Sequence, residues 1–298
     1  MTLTRRAFSA LFGSLVAGGA MVRPGLVHAA AGTGDGVPGA LAALEKRIGA
    51  RLGVAALDTG TERFWGHRAD ERFPMCSTFK LLASAAVLAR VDEGRETLDR
   101  RIRFGAADLV TYSPVTKERV GGEGMTLAEL CEATMTLSDN TAANLILDSL
   151  GGPSAVTGIV RSVGDTATRL DRRETDLNTA IPGDPRDTTT PRAMTGTLRA
   201  LVLGDRLSPA SRERLAAWLV ANKTGDARLR AGVPKGWRVG DKTGTGAYGT
   251  ANDVGVIWPA NRKPLIVSVY ITETKASLDD RNAVTAEVAR VVAGALAA

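Results

Sequence analysis

Apolar residues recur at helical spacing over residues 38–50, which predicts an opening helix. Residues 51–57 then read as a strand, 58–60 as a turn, and 64–66 as a return to extended structure. From Ser77 to about Leu219 the pattern becomes mostly helical. Residues 79–91 are apolar nearly all round, the mark of a buried helix. Further helices are predicted at 126–137 and 141–150, the second stopped by Gly151-Gly152. Residues 169–187 are irregular and dense in charge, Pro and Gly, and so long a loop inside a compact domain is functional or disordered. Strand patterns return at 237–245, 252–258 and 265–272, with Pro259-Ala260-Asn261-Arg262 as a break, and an amphipathic helix closes the chain over 277–298.

This order predicts an α/β fold of two domains. An antiparallel five-stranded sheet flanked by helices is made from both chain ends, and an all-helical domain is inserted between them. Residues 30–75 and 221–298 are expected to form the α/β domain and 76–220 the helical one, with the active site at their interface. No repeat or low-complexity tract interrupts the pattern.

The N-terminus reads as an export signal. Thr4-Arg5-Arg6-Ala7-Phe8 is a twin-arginine start, 11–22 is apolar but too short to span a bilayer, and Val27-His28-Ala29 suits a signal peptidase. Cleavage after residue 29 predicts a periplasmic product with no membrane attachment. Composition fits a soluble globular protein, with 44% hydrophobic and 23% charged residues over 298 positions. Of the formal charge of +6, three positive charges (Arg5, Arg6, Arg23) belong to the signal, and no dense Lys/Arg block remains. A nucleic-acid partner is therefore not expected, and a monomer is the default. The two cysteines, Cys76 and Cys131, could pair in an exported chain, but nothing in their spacing brings them together, so two free buried thiols are expected. Of the two histidines, His28 leaves with the signal and His67 reads as a surface or strand-edge residue. No histidine cluster can hold zinc, and no metal or cofactor is expected.

Ser77-Thr78-Phe79-Lys80 opens the first buried helix, so Ser77 and Lys80 share a face one turn apart. A serine hydroxyl becomes a nucleophile when a base such as a desolvated lysine lies within reach, and a helix N-terminus stabilises a developing oxyanion. The bland alternative is an N-cap followed by a surface lysine. Ser138-Asp139-Asn140 is either a second N-cap or a hydroxyl and an amide arranged around that lysine. Lys-Thr-Gly occurs twice. Lys223-Thr224-Gly225 follows a helix expected at 211–222 and reads as structural, with Gly225 as C-cap. Lys242-Thr243-Gly244 lies in an extended run whose edge can present a lysine and backbone N–H groups to a ligand. In the irregular loop, Glu174 and Asn178 are spaced to clamp one water between them, as general-base hydrolysis requires.

Ser77-x-x-Lys80, Ser138-Asp139-Asn140, Glu174-x-x-Leu177-Asn178 and Lys242-Thr243-Gly244, in that order, resemble the class A serine β-lactamases over essentially the whole mature chain. Tyr112-Ser113-Pro114-Val115-Thr116 is similar to a segment lining that family's site, and 183–189 to the close of its omega loop. The resemblance implies a β-lactamase/transpeptidase-like fold and hydrolysis of penicillins and cephalosporins. Ser77 is then the nucleophile, activated by Lys80 or by Glu174 through a water. The backbone N–H groups of Ser77 and Thr245 form the oxyanion hole, and Ser138 passes a proton to the lactam nitrogen, tuned by Lys242. Thr243, Thr245 and Arg228 bind the substrate carboxylate, and Gly244 belongs to the same edge. Asn140 holds the acylamide, Tyr112 forms one wall, and Glu174 with Asn178 positions the deacylating water. Arg172 and Asp187 are expected to pin the loop as an ion pair. Carbapenem-specialised members pair a cysteine at the place of Cys76 with one following the place of Thr245. Gly246 stands there in this chain, so neither that disulfide nor robust carbapenem hydrolysis is expected. A penicillin-binding peptidase would lack the Glu174 loop, and a β-lactam sensor domain would acylate once and stop.

Overall fold

The computed structural model describes residues 36–296, so the export signal read at 1–29 lies outside the described residues. Helix α1 (Val37–Ile48) buries Val37, Leu41 and Leu44, one stripe at helical spacing, and ends on Gly49 in the left-handed region. Strands β1 (Arg51–Asp58) and β2 (Phe64–His67) form a hairpin with Ala56 opposite Trp65. After the two-residue β3 (Phe73–Pro74), a 3-10 turn at Cys76–Thr78 runs into α2 (Phe79–Asp92). Every side chain of α2 from Phe79 to Ala89 is buried, as its continuous apolar surface predicts. Strands β4 (Arg101–Ile102) and β5 (Met125–Thr126) pair briefly. Helix α3 (Leu127–Thr136) begins in a capping box between Thr126 and Glu129.

Helix α4 (Asn140–Leu150) is capped by the Asp139 carboxylate, which accepts from Ala142 N, and stops at Gly151 with a φ of 87°. Helix α5 (Ser154–Arg161) precedes the long loop, which contains a 3-10 turn at Asp176–Thr179 and ends in β6 (Thr188–Thr189), paired with β3. There follow α6 (Pro191–Leu198), a π-helical turn Arg199–Leu203, α7 (Pro209–Val220) and α8 (Leu229–Gly232). Strands β7 (Arg238–Gly246), β8 (Thr250–Trp258) and β9 (Leu265–Thr272), then α9 (Leu278–Ala295), complete the chain.

The five-stranded sheet has the order β2-β1-β9-β8-β7, antiparallel throughout. Strand β9 is covered on both faces. Leu265, Val267, Val269 and Ile271 belong to the core that includes α1 and α9. Ile266 and Tyr270 belong to the core of the helical side, with Tyr270 against Phe73 of β3 and Ser268 hydrogen-bonded to Thr195 of α6. Two hydrophobic cores therefore share one sheet, and β7 is left as the edge strand facing the helical side of the molecule.

Two expectations change. Helix α7 ends at Val220, and Gly225 is not its C-cap. Gly225 lies under β7 instead, where an added Cβ would sit 1.8 Å from Asp241 Oδ2. The strand pairs β3–β6 and β4–β5 were not anticipated, because two residues are too few to show alternation. Among the described residues no helix is long and apolar enough to cross a membrane.

Candidate active site

Ser77 sits in the middle of the 3-10 turn, and Lys80 follows in the first turn of α2. Lys80 is fully buried. Its Nζ donates to Ser138 O (2.8 Å), Asn140 Oδ1 (2.5 Å) and Ser138 Oγ (3.3 Å), and lies 2.9 Å from Glu174 Oε1. The same carboxylate oxygen accepts from Ser77 Oγ at 3.3 Å. One acid thus touches both the serine and the lysine, with both charged side chains at 0% exposure. Such a pair survives burial only when its remaining polar positions are filled, and here they are. Burial lowers the Lys80 pKa against the opposing pull of Glu174.

Ser138 and Lys242 extend the chain of contacts. Lys242 Nζ donates to Ser138 Oγ at 3.1 Å and to Thr243 O at 3.0 Å. Burial, aided by the neighbouring Lys80, depresses Lys242 to a pKa of about 7. Because Ser138 Oγ accepts from both lysines, its own proton remains free for another acceptor. In Ser138-Asp139-Asn140 the N-cap is present, supplied by Asp139, and the Ser138 hydroxyl and Asn140 amide both contact Lys80. Asp139 caps α4 and also accepts from Val115 N, Thr116 N and Thr116 Oγ1, which fastens the 112–116 segment. Asn140 turns its amide oxygen to Lys80, and its Nδ2 donates to Thr111 O. Tyr112 has a φ of 64° and is exposed, and its carbonyl accepts from Asn140 N. Cys76 (φ 45°) and Ser138 (φ 58°) also occupy the left-handed region, a clustering of backbone strain typical of functional sites.

Glu174 is held by its backbone as well as its side chain. Asn144, one turn after Asn140 on α4, accepts from Glu174 N (3.0 Å) and donates to Glu174 O (2.9 Å). Asn178 Nδ2 donates to Glu174 Oε2 at 2.5 Å, while Asn178 Oδ1 is buried without a protein partner. The Glu174–Thr175 peptide is cis. Arg172 Nε meets Asp187 Oδ2 at 2.5 Å, and Asp187 Oδ1 accepts from Asp171 N and Arg172 N. That is the loop-pinning pair expected from the sequence.

Strand β7 lies against the Ser77 turn. A Cβ on Gly244 would come within 2.7 Å of Met75 O and 3.2 Å of Ser77 N, so only glycine permits this approach. Gly246 abuts Cys76 Sγ and Asn178 O, and Ala247 N donates to Asn178 O at 2.9 Å, tying the strand end to the loop. Cys76 and Cys131 are free and buried. His67 closes the edge strand β2 and meets Glu45 at 2.8 Å.

Arg228 is more committed than its expected role suggests. Its guanidinium donates to Gly244 O, Asn252 O, Asn282 Oδ1 and Thr245 Oγ1, and it is 5% exposed. It reaches the cleft through the Thr245 hydroxyl. Two contacts escaped the sequence reading. Asn144 was signalled by its spacing from Asn140, and Thr224, read as structural, has its hydroxyl against that of Thr243.

With this geometry in view, the comparisons with known proteins agree. Residues 39–296 match the profile of the Beta-lactamase enzyme family. Beta-lactamase AST-1 of Nocardia asteroides is 55% identical over 255 residues, covering 86% of this chain and 82% of that protein. Beta-lactamase CTX-M-8 of Citrobacter amalonaticus is 51% identical over 252 residues, covering 85% and 86%. The solved structure of the class A β-lactamase of the last common ancestor of Gram-negative bacteria (GNCA4) superposes with a TM-score of 0.86 at 66% identity, over 88% of this chain and 99% of that one. The chain belongs to the class A β-lactamases, a family of hydrolases associated with β-lactam resistance.

Proposed function

We propose that this enzyme hydrolyses penicillins and cephalosporins through an ester on Ser77, which water activated by Glu174 then clears. One observation carries the reading: a fully buried carboxylate in contact with both the candidate nucleophile and a buried lysine. Ser77 gives its proton to Glu174 Oε1, the acceptor it already touches, and attacks the lactam carbonyl. The developing oxyanion is met by the backbone N–H groups of Ser77 and Thr245, a role supported by the close approach of Gly244 to the Ser77 turn. The Ser138 proton passes to the lactam nitrogen as the C–N bond breaks. Lys80, in contact with both groups, relays the proton held by Glu174 back to Ser138 Oγ, so that Glu174 is a carboxylate again before water attacks.

In the second half, Glu174 Oε2 and the orphan Oδ1 of Asn178 fix a water that attacks the ester carbonyl; Glu174 takes its proton and returns it to Ser77 Oγ as the ester C–O bond breaks. The substrate carboxylate docks on Lys242, Thr243 and Thr245, with Arg228 acting through Thr245. Asn140 holds the acylamide and Tyr112 walls the cleft. The active site lies where the helical part, 76–220, meets the sheet part, 30–75 with 221–298. The enzyme works as a periplasmic monomer after export on its twin-arginine signal, without a cofactor.

Glu174→Gln tests the assignment. The amide keeps the shape of the side chain but cannot take a proton from water, so deacylation slows by roughly 10²–10⁴-fold. Acylation in the variant keeps the route through Lys80, the other base available to Ser77, so intact-mass spectrometry with benzylpenicillin is expected to show an adduct on Ser77 that, once formed, persists. Turnover at the parent rate with no adduct overturns the mechanism.

A further inference from the structure

The duplicate Lys223-Thr224-Gly225 lies against the site copy. Its threonine meets the matching threonine of Lys242-Thr243-Gly244, with Thr224 Oγ1 and Thr243 Oγ1 2.5 Å apart. Asn222 stands behind Thr224. Its Nδ2 donates to the buried Asp241 Oδ2 at 2.7 Å, and the amide's orientation is fixed by the Thr224 backbone N–H, which can only donate and so must face Asn222 Oδ1. Asn222 Oδ1 therefore faces Thr224 and accepts from both its backbone N (3.0 Å) and its hydroxyl (2.8 Å).

We propose that Thr224 is a positioning residue whose hydroxyl, switching between Asn222 Oδ1 and Thr243 Oγ1, directs the Thr243 proton onto the carboxylate of the bound β-lactam. This role rests on the hydrolase reading above. Thr224 has one hydroxyl proton and two acceptors within reach. Without an anion, that proton satisfies Asn222 and the Thr243 proton is free to turn back towards Thr224. When a carboxylate arrives, Thr243 must donate outward, and its oxygen then accepts the Thr224 proton. Asn222 Oδ1 stays satisfied through Thr224 N, so the switch leaves no buried acceptor empty. Hydrogen bonds aligned in one direction strengthen one another, and the row ends on a charged ligand, where such bonds are strongest. Gly225 makes room for the arrangement, because any side chain there would collide with Asp241.

The measurement is steady-state kinetics on the parent, Thr224→Val, Thr224→Ser, Thr243→Val and the Thr224→Val/Thr243→Val double variant. Nitrocefin and a cephalosporin methyl ester serve as substrates. Thr224→Val keeps the shape and loses the hydroxyl, and is expected to raise KM for nitrocefin by about three- to tenfold with a smaller change in kcat. Thr224→Ser is expected to restore the parent KM, and the double variant to be no worse than Thr243→Val. The ester, lacking the anion, is expected to show no difference between parent and Thr224→Val. If Thr224→Val does not fold, Thr224→Ala carries the same expectations at this half-exposed position. A parent KM in the hydroxyl-less variant, or effects that simply multiply in the double variant, overturns the proposal while leaving the hydrolase reading intact. A parent that turns over no β-lactam overturns both.

Discussion

Lys242 shows how burial at one residue sets a working range of pH. Its ammonium is desolvated and lies near Lys80, and both effects favour the neutral form, so it titrates at about 7 instead of the ordinary 10.5. The charged form, proposed above to attract an anionic substrate, is present below that pKa. In the free enzyme, kcat/KM for a carboxylate substrate is therefore expected to fall as pH rises through about 7. Lys242→Arg keeps its charge throughout and is expected to abolish that alkaline limb, which a pH–rate profile checks. Stability moves the other way. Between about 7 and 10.5 the unfolded chain binds the proton that the native lysine has lost, so the fold gains stability across that window. The residue types of this network were legible in the sequence, because each motif names the chemistry that it needs. Which donor faces which acceptor was not. Arg228 looked like a ligand for the carboxylate, yet four protein acceptors claim it.

The long loop carries Glu174 only because its two ends are fastened. Asp187, 1% exposed, collects Asp171 N at 2.7 Å, Arg172 N at 2.8 Å and the Arg172 side chain. Removing one partner from a buried pair costs about 3–5 kcal/mol, and Arg172 retains some exposure. Asp187→Ala is therefore expected to lose about 3 kcal/mol in urea unfolding and to slow deacylation as Glu174 loses its aim. Parent stability together with parent turnover sinks this account. Periodicity revealed the long elements well: the strand read at 265–272 is β9 residue for residue, and the strand and helix patterns around it lie within a few positions of their elements. It failed where local sequence is weak evidence. Gly225 resembled a helix stop, but tertiary contact with Asp241 explains that glycine. The buried helix was read from residue 79, where α2 does begin, but the 3-10 turn before it that carries Ser77 left no signal, since three residues cannot show a period of their own.

At the scale of the whole molecule, the sheet joins residues distant in sequence. Arg51 lies opposite Thr272 and Asp58 opposite Leu265, so the first strand pairs with the last. This arrangement was foreseeable, because strands bracketing a helical block have few other partners, whereas the convergence of four motifs on one cleft came from resemblance rather than from pattern. The proposed export belongs to the same scale. Fractionation of expressing cells is expected to place the protein in the periplasm with a mass lacking residues 1–29, and full-length protein confined to the cytoplasm contradicts it. The position of β9 as the middle strand of five has a consequence for synthesis. A ribosome that has reached residue 260 has already made Ser77, Lys80, Ser138, Glu174 and Lys242, but not the strand that lies between β1 and β8. Premature termination there yields a chain with all the proposed reactive groups but without the strand that joins the two halves of the sheet, so catalytic competence is expected only once the codons of β9 have been read.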